Sequence, residues 1–143
     1  FSAGDLKQAG FREGALVYSV TAANVNLEYA KDLVKDGGYY WACTKDNLPG
    51  QTADLTLSGG AALVTKLHLT NGYDDNDTVK NCRLDYKDPS GSWQKGTTFQ
   101  SRKTSARQSF DITSGVATTE WRIVVLDTYG GNSLIKKIEL EGI

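Results

Sequence analysis

The sequence predicts an all-β fold, an antiparallel, roughly eight-stranded β-sandwich in a jelly-roll arrangement. Three observations lead to this prediction. Short runs alternate apolar and polar side chains, which is the period of a half-buried strand. Turn residues separate these runs, and 15 glycines with only 2 prolines supply many tight turns. In the last quarter, two β-branched and aromatic runs flank Gly130-Gly131, a pattern typical of a β-hairpin.

The first residues stand apart from this pattern. Phe1-x-x-Gly-x-Leu recurs as Phe11-x-x-Gly-x-Leu, and the segment resembles short tandem repeats of the Leu-Lys-x-Ala-Gly-Phe kind. Repeats this short need several neighbours to bury a shared core. We therefore interpret residues 1–14 as an N-terminal leader and the stub of a decapeptide repeat array, with a chance match in a helical leader as the alternative. The sandwich is predicted to span residues 15–143.

The first half of the sandwich is predicted to hold four strands and one short helix. Residues 26–34 form the helix because Leu27, Ala30 and Leu33 share one side, and Asp36-Gly37-Gly38 breaks it. Alternation, or a short apolar run, predicts strands over residues 15–21, 39–43, 53–58 and 63–70.

The second half continues with strands divided by strong turn signals. Asp88-Pro-Ser-Gly91 is predicted to turn because proline presets φ and glycine permits a positive φ. The final two strands flank the predicted hairpin turn. The strands are expected over residues 79–87, 93–99, 108–112, 119–127 and 134–142.

The composition of the chain argues against several classes of function. The net charge of −1, with no long run of one sign, gives no support to nucleic-acid or anionic-membrane binding. No apolar run approaches the roughly 20 residues that span a bilayer. The chain contains no methionine, so we expect a processed product or a domain of a longer protein.

The two cysteines and three tryptophans are interpreted as core residues. Cys43 and Cys82 are expected to be buried free thiols, with a disulfide between them as the alternative, because free cysteine is among the most buried residue types. Trp41, Trp93 and Trp121 lie within strand-like runs and are expected to pack inside the sandwich rather than serve as sugar platforms.

The order of these motifs resembles the discoidin family, the factor V/VIII C-type or galactose-binding-like domains, over about residues 15–142. The chain is also similar to family 32 carbohydrate-binding modules. The motifs that carry the resemblance are Asp36-Gly37 followed by Trp41, Ala53-Asp-Leu-Thr-Leu57, Leu63-Val-Thr-Lys-Leu-His-Leu69, Cys82-Arg-Leu-Asp-Tyr86, Asp88-Pro-Ser-Gly-Ser-Trp93, Phe110-Asp-Ile112 and the segment from Trp121 to Gly142.

The resemblance implies a non-catalytic carbohydrate-binding module of a larger multidomain protein. Its ligand would be a glycan or glycoprotein, held by loops at one end of the sandwich. An extracellular or cell-surface location is also expected, since a repeat stub would make this domain one module of a larger, surface-displayed protein. The loops that the resemblance assigns to the ligand end are residues 21–26, 36–40, 71–78 and 128–133.

Residues in these loops suit sugar recognition. Aspartate and asparagine offer fixed hydrogen-bond acceptors and donors, and tyrosine can stack on a sugar while presenting a hydroxyl group. His68, Asn71 and Tyr129 best match the contacts that the resemblance implies, with Tyr73, Asp74 and Asn132 as neighbours. The alternative is that residues 71–78 form only a solvated turn and that His68 is an exposed strand residue.

No cofactor is predicted, and structural calcium is a weaker alternative with Asp36 as the candidate ligand. Lys137 stands where the resemblance implies an acidic ligand, and its charge would oppose a bound Ca²⁺. Membrane insertion is not expected, because Asp74, Asp75 and Asp77 in the most polar loop would repel anionic lipid.

An enzyme is not predicted. The chain has one histidine and no phosphate loop, nucleophile motif or metal-ligand spacing. Two other functions remain open beside glycan binding. The same loops could mediate protein–protein interaction or adhesion, or the domain could be purely structural.

Overall fold

The computed structural model describes residues 13–45, 50–72 and 77–143. Within these ranges the chain forms ten strands and one short helix, α1, that continues into a 3₁₀ turn. The predicted leader lies outside the described residues except for Glu13 and Gly14. The elements are β1 Gly14–Leu16, β2 Tyr18–Ala23, α1 Leu27–Ala30, the 3₁₀ turn Lys31–Val34, β3 Trp41–Cys43, β4 Gln51–Leu57, β5 Val64–Asn71, β6 Asn81–Lys87, β7 Trp93–Gln100, β8 Gln108–Asp111, β9 Glu120–Val125 and β10 Ser133–Gly142.

The strands form two antiparallel sheets, which confirms the predicted sandwich. The first sheet has the order β1-β10-β5-β8, and β3 pairs with the other end of β10. The second sheet has the order β2-β4-β9-β6-β7. Non-consecutive strands are neighbours in both sheets, so most connections cross between the two layers.

The core lies between the sheets and follows the sequence alternation. Leu55 on β4, Leu67 on β5 and Ile123 on β9 are fully buried. Trp41 and Trp121 are also fully buried, as predicted, and each indole N–H donates to a backbone carbonyl. These bonds satisfy the indole donors, so the rings fill the core without an unpaired polar group.

Trp93 differs from the prediction. Its ring is half-buried rather than buried, with the Arg122 guanidinium 4.0 Å and the Lys87 ammonium 5.4 Å from its centroid. Arg122 in turn pairs with Asp54 at 2.6 Å. The ring therefore packs among charged side chains rather than in the apolar core, and cation–π contact replaces core burial there.

The predicted hairpin around Gly130-Gly131 is also wrong. Val125 at the end of β9 pairs with Gln51 and Cys82 in the second sheet, whereas Ser133 at the start of β10 pairs with Cys43 in the first. The connection passes from one layer to the other. Glycines between two β-rich runs predict a turn, but they do not determine which strands pair.

Residues 15–21, predicted as one strand, are divided between the two sheets. Val17 is 73% exposed and separates β1, in the first sheet, from β2, in the second. The predicted helix is confirmed as α1 and the 3₁₀ turn, which bury Ala30 and Leu33 and pack against β2 and β10. No helix in the described ranges has the length and apolar character needed to cross a membrane.

Both cysteines are free and buried, which confirms the preferred prediction over the disulfide. Burial raises the pKa of both thiols, because the charged thiolate is poorly solvated inside the protein. The thiols therefore behave as small core side chains.

The turn after β6 is organised by the Asp88 carboxylate. It accepts hydrogen bonds from the Ser90 hydroxyl (2.6 Å), the Ser92 backbone N–H (2.9 Å) and the Gln94 amide (2.7 Å). These bonds favour the ionised form and lower the pKa of Asp88 to about 2.

We expect this turn to stay closed at pH 4 and to open only as the pH falls through about 2. A carboxyl whose pKa is depressed by folding stabilises the fold above its unfolded pKa, about 3.9, and this contribution is lost through the folded pKa. Amide NMR shifts of Ser90 and Ser92 against pH would measure the midpoint. Asp88→Asn should remove the transition, and a midpoint near 4 in the native protein would contradict the assignment.

Candidate functional site

The strand registers bring five connections to one end of the sandwich, here called the loop pole. In one sheet Ala23 pairs with Ala53 and Gln51 with Val125, so the ends of β2 and β9 lie together. Asn71, at the end of β5 in the other sheet, is joined to this end by hydrogen bonds to Ser101 and to the Val79 N–H. The described parts of these connections are residues 24–26, 44–45 with 50, 72 with 77–80, 101–107 and 126–132.

Hydrogen bonds join the connections of the loop pole to one another. The Asn24 side chain donates to the Gly50 carbonyl and accepts from the Thr52 backbone N–H, at the start of β4, at 2.9 Å. The Asn132 backbone N–H donates to the Asp77 carboxylate at 2.7 Å. The structure thus brings together three of the four predicted ligand loops, over their described parts. The fourth, residues 36–40, lies on the flank of the sandwich, where Asp36 contacts Lys137 of β10.

Tyr129 is held firmly in the loop pole. Its hydroxyl donates to the Ser101 carbonyl at 2.6 Å, and its backbone N–H donates to the Thr78 carbonyl at 3.2 Å. The Lys80 ammonium lies 5.7 Å from the ring centroid. The ring is half-exposed and its orientation is fixed by the surrounding loops. It can therefore offer an apolar face to a ligand at little cost in side-chain entropy.

Asn132 is exposed and lies three positions after Tyr129, in the same connection. Its side-chain oxygen accepts from the Lys45 backbone N–H at 3.2 Å. This contact orients the amide plane and links the connection after β9 to the connection after β3. Asn132 is thus a surface amide with a defined orientation.

Asn71 is 1% exposed and its hydrogen bonds run inward. The amide nitrogen donates to the Ser101 hydroxyl at 3.1 Å and the Thr104 carbonyl at 3.2 Å, and the oxygen accepts from the Val79 N–H at 3.4 Å. Asn71 therefore holds two connections of the loop pole against the end of β5. Ser101 contacts both Asn71 and Tyr129, and no local sequence signal identified it.

His68 lies three positions before Asn71 on β5 and is 5% exposed. Its Nδ1 shares a 2.7 Å hydrogen bond with the Ser109 hydroxyl, and its Nε2 contacts the Glu141 carboxylate. Ser109 lies on β8, directly opposite His68. Glu141 lies on β10, two positions beyond the residue opposite His68. The ring is enclosed by these contacts within the sheet and does not reach the tip of the loop pole.

The predicted contacts Tyr73 and Asp74 lie outside the described residues, so they stay predictions. Asp36, the candidate calcium ligand, has an exposed carboxylate that pairs with the Lys137 ammonium. This hydrogen bond lowers the pKa of Asp36 and raises the pKa of Lys137. Among the described residues, no group of three or more His, Cys, Asp or Glu side chains is placed to hold a metal ion.

Solved structures with this fold include carbohydrate-binding modules. A family 32 module of NanJ from C. perfringens, in complex with galactose, has a TM-score of 0.68 at 15% identity and covers 91% of this chain and 99% of its own. Another from Clostridium perfringens, in complex with GalNAc-β-1,3-galactose, has a TM-score of 0.63 at 14% identity, with coverages of 90% and 94%.

The F5/8 type C domain of a Bacteroides fragilis protein is similar as well. It has a TM-score of 0.69 at 17% identity, and the alignment covers 91% of this chain and 96% of that one. No protein-family model matches the sequence, and no curated protein matches it. These likenesses establish the fold and confirm the predicted resemblance to the discoidin and family 32 architecture.

Proposed function

We propose that this chain is a non-catalytic glycan-binding module of a larger multidomain protein, with the glycan held at the loop pole. The observation that carries the proposal is Tyr129, whose half-exposed ring is fixed by a 2.6 Å hydrogen bond to Ser101. The fold supports it, since two solved structures with this fold hold galactose or GalNAc-β-1,3-galactose. We propose a galactose-type sugar as the first ligand to test.

Some of the predicted site residues are proposed to contact the sugar, and others to support the site. Tyr129 stacks on the C–H face of the sugar, and Asn132 offers amide hydrogen bonds to its hydroxyl groups. Tyr73 and Asp74 remain proposed contacts from the connection after β5. Asn71 and His68 support the site through the internal hydrogen bonds described above.

The contacts among Ser109, His68 and Glu141 support a structural role better than a hydrolytic one. A nucleophile requires a substrate cleft with donors that stabilise the developing charge. Ser109 lies on β8, at the edge of the first sheet, and is exposed. The Ser109 and Glu141 side chains instead satisfy the buried His68 imidazole, because buried polar groups need hydrogen-bond partners. We therefore propose that the module is not an enzyme.

A protein-interaction or adhesion role for the loop pole is the second candidate. It is favoured by the exposed amide and lysine groups there, which a protein partner could also contact. Either role would suit an extracellular or cell-surface protein, which is the location we propose.

We expect Tyr129→Ala to weaken binding of a galactose-type glycan by about tenfold or more, because the stacking surface is lost. Tyr129→Phe is the matched control, since it keeps the ring and removes only the hydrogen bond to Ser101. A glycan array followed by calorimetry on the best glycan would measure both variants. An array without any bound glycan would contradict the proposed function, and equal binding by Tyr129→Ala would exclude this contact.

A further inference from the structure

Exposed apolar side chains are concentrated on one flank of the sandwich. Among the described residues, all the large hydrophobic side chains that are strongly exposed belong to positions 17–39. Tyr39 is 72% exposed and Tyr29 is 46% exposed. Neither ring contributes to the core, so their exposure calls for an explanation other than folding.

The Tyr29 and Tyr39 rings contact each other at the wall of an open cleft. Their centroids are 5.6 Å apart and their planes are tilted by 58°. The surrounding cleft has a volume of about 380 Å³ and is completed by Glu28, Lys31, Asp32 and Lys35. We call this the tyrosine cleft. It belongs to α1, the 3₁₀ turn and the segment before β3, and none of its lining residues is part of the loop pole.

Local structure fixes the geometry of the tyrosine cleft. The Tyr39 backbone N–H donates to the Asp32 carboxylate at 3.2 Å, and the Lys35 ammonium pairs with the same carboxylate at 3.1 Å. Gly37 has φ 70°, and a Cβ at Gly38 would lie 2.9 Å from the Asp32 Cβ. The segment that carries Tyr39 is therefore fastened to the turn that carries Asp32, beside Tyr29.

The composition of the cleft favours a neutral sugar. Two carboxylates and two ammonium groups balance its charge, so it does not select for an anion or a cation. These groups can donate to and accept from sugar hydroxyls, while the tyrosine rings offer apolar faces with polar tips. A protein hot spot would instead surround its aromatic anchors with residues that exclude water.

We propose that the tyrosine cleft is a second glycan-contacting site, which binds a neutral pyranose against the exposed surfaces of Tyr29 and Tyr39. The proposal rests on the proposed function and extends it, because one module would then contact a glycan at both its loop pole and its flank. Two weak contacts on one chain would raise the avidity for a branched or repeated glycan.

The test is a ¹H–¹⁵N NMR titration with methyl β-galactoside, methyl β-N-acetylglucosaminide and the anionic methyl β-glucuronide. We expect at least one neutral glycoside to shift the amides of Gly37, Gly38 and Tyr39 and to bind there more tightly than the glucuronide. Tyr39→Ala should weaken this binding by about tenfold and leave the Tyr129 and Gly130 shifts unchanged. Val17→Ala, an equally exposed apolar position outside the tyrosine cleft, should have no effect.

The outcomes separate this proposal from the function on which it rests. Sugar-dependent shifts at the loop pole alone would overturn the second site and leave the proposed function intact. No sugar-dependent shift at either place would count against both. Shifts at Tyr29 and Tyr39 that depend on protein concentration without sugar would identify a protein contact and overturn the glycan assignment.

Discussion

Gly96→Ala is expected to destabilise the fold by roughly 3 kcal/mol, which is the upper range for overpacking a rigid site. A Cβ at position 96 would lie 2.0 Å from the Leu84 carbonyl oxygen. The obstacle is backbone in a paired strand, so it cannot move aside as a flexible side chain could. The reason lies in the register of β6 and β7.

The register of these strands contains a β-bulge at this position. Leu84 pairs with Thr97, whereas Tyr86 pairs with Gln94, so β7 has one more residue than β6 in this interval. The Gly96 N–H donates to the Asp85 carboxylate at 3.0 Å, and that carboxylate also binds Arg83. Glycine permits the close approach of the backbone that this arrangement requires.

Gly14→Ala is the matched control for Gly96→Ala. Gly14 also lies in a strand, but a Cβ there would meet nothing within 4 Å. Thermal and urea unfolding of both variants should show a large loss for Gly96→Ala and a change within about 0.5 kcal/mol for Gly14→Ala. Similar stabilities for the two variants would show that β7 can relax around the added methyl group.

The strand positions could be predicted from the sequence because each strand buries one face. The alternation of Leu55 and Leu57, or of Leu67 and Leu69, records that burial directly, and the predicted strands agree with the structure to within a few residues. The sheet to which each strand belongs could not be predicted. Pairing depends on packing between distant segments, as the separation of β9 from β10 shows.

The location of the loop pole was predictable, but the roles of its residues were not. Asn71 and Tyr129 were selected for their chemical types, yet both bind Ser101, which lies 30 and 28 positions away in sequence. A polar residue in a loop can face a ligand or hold the loop in place, and composition does not separate these roles. Partners distant in sequence decide between them.

The position of the tyrosine cleft also could not be predicted from the sequence. The segment 36–40 was expected at the ligand end, but Asp32 fastens it to the flank instead. Tyr29 is ten positions from Tyr39, and a helical turn and two glycines separate them. The exposure of both rings is a property of the fold, so neither the surface site nor the contact between the rings could be predicted from the sequence.

Asn71→Ala is expected to lower the free energy of unfolding by about 3 kcal/mol, the second large effect that the structure predicts. The substitution removes three hydrogen bonds at a position that is 1% exposed. It leaves the Val79 N–H and the Thr104 carbonyl without this partner, and an unsatisfied buried polar group costs about 1–3 kcal/mol. Hydrogen exchange should show the greatest loss of protection in residues 77–80 and 101–107.

Asn132→Ala is the control that separates support from ligand contact, because Asn132 is exposed at the same pole. Its stability should change by less than about 0.5 kcal/mol, while glycan binding should weaken. Asn71→Ala should lose stability and binding together, since the connections that carry Tyr129 depend on it. If Asn71→Ala instead kept its stability and lost only binding, Asn71 would be a direct ligand contact. The inward hydrogen bonds would then not be its main role.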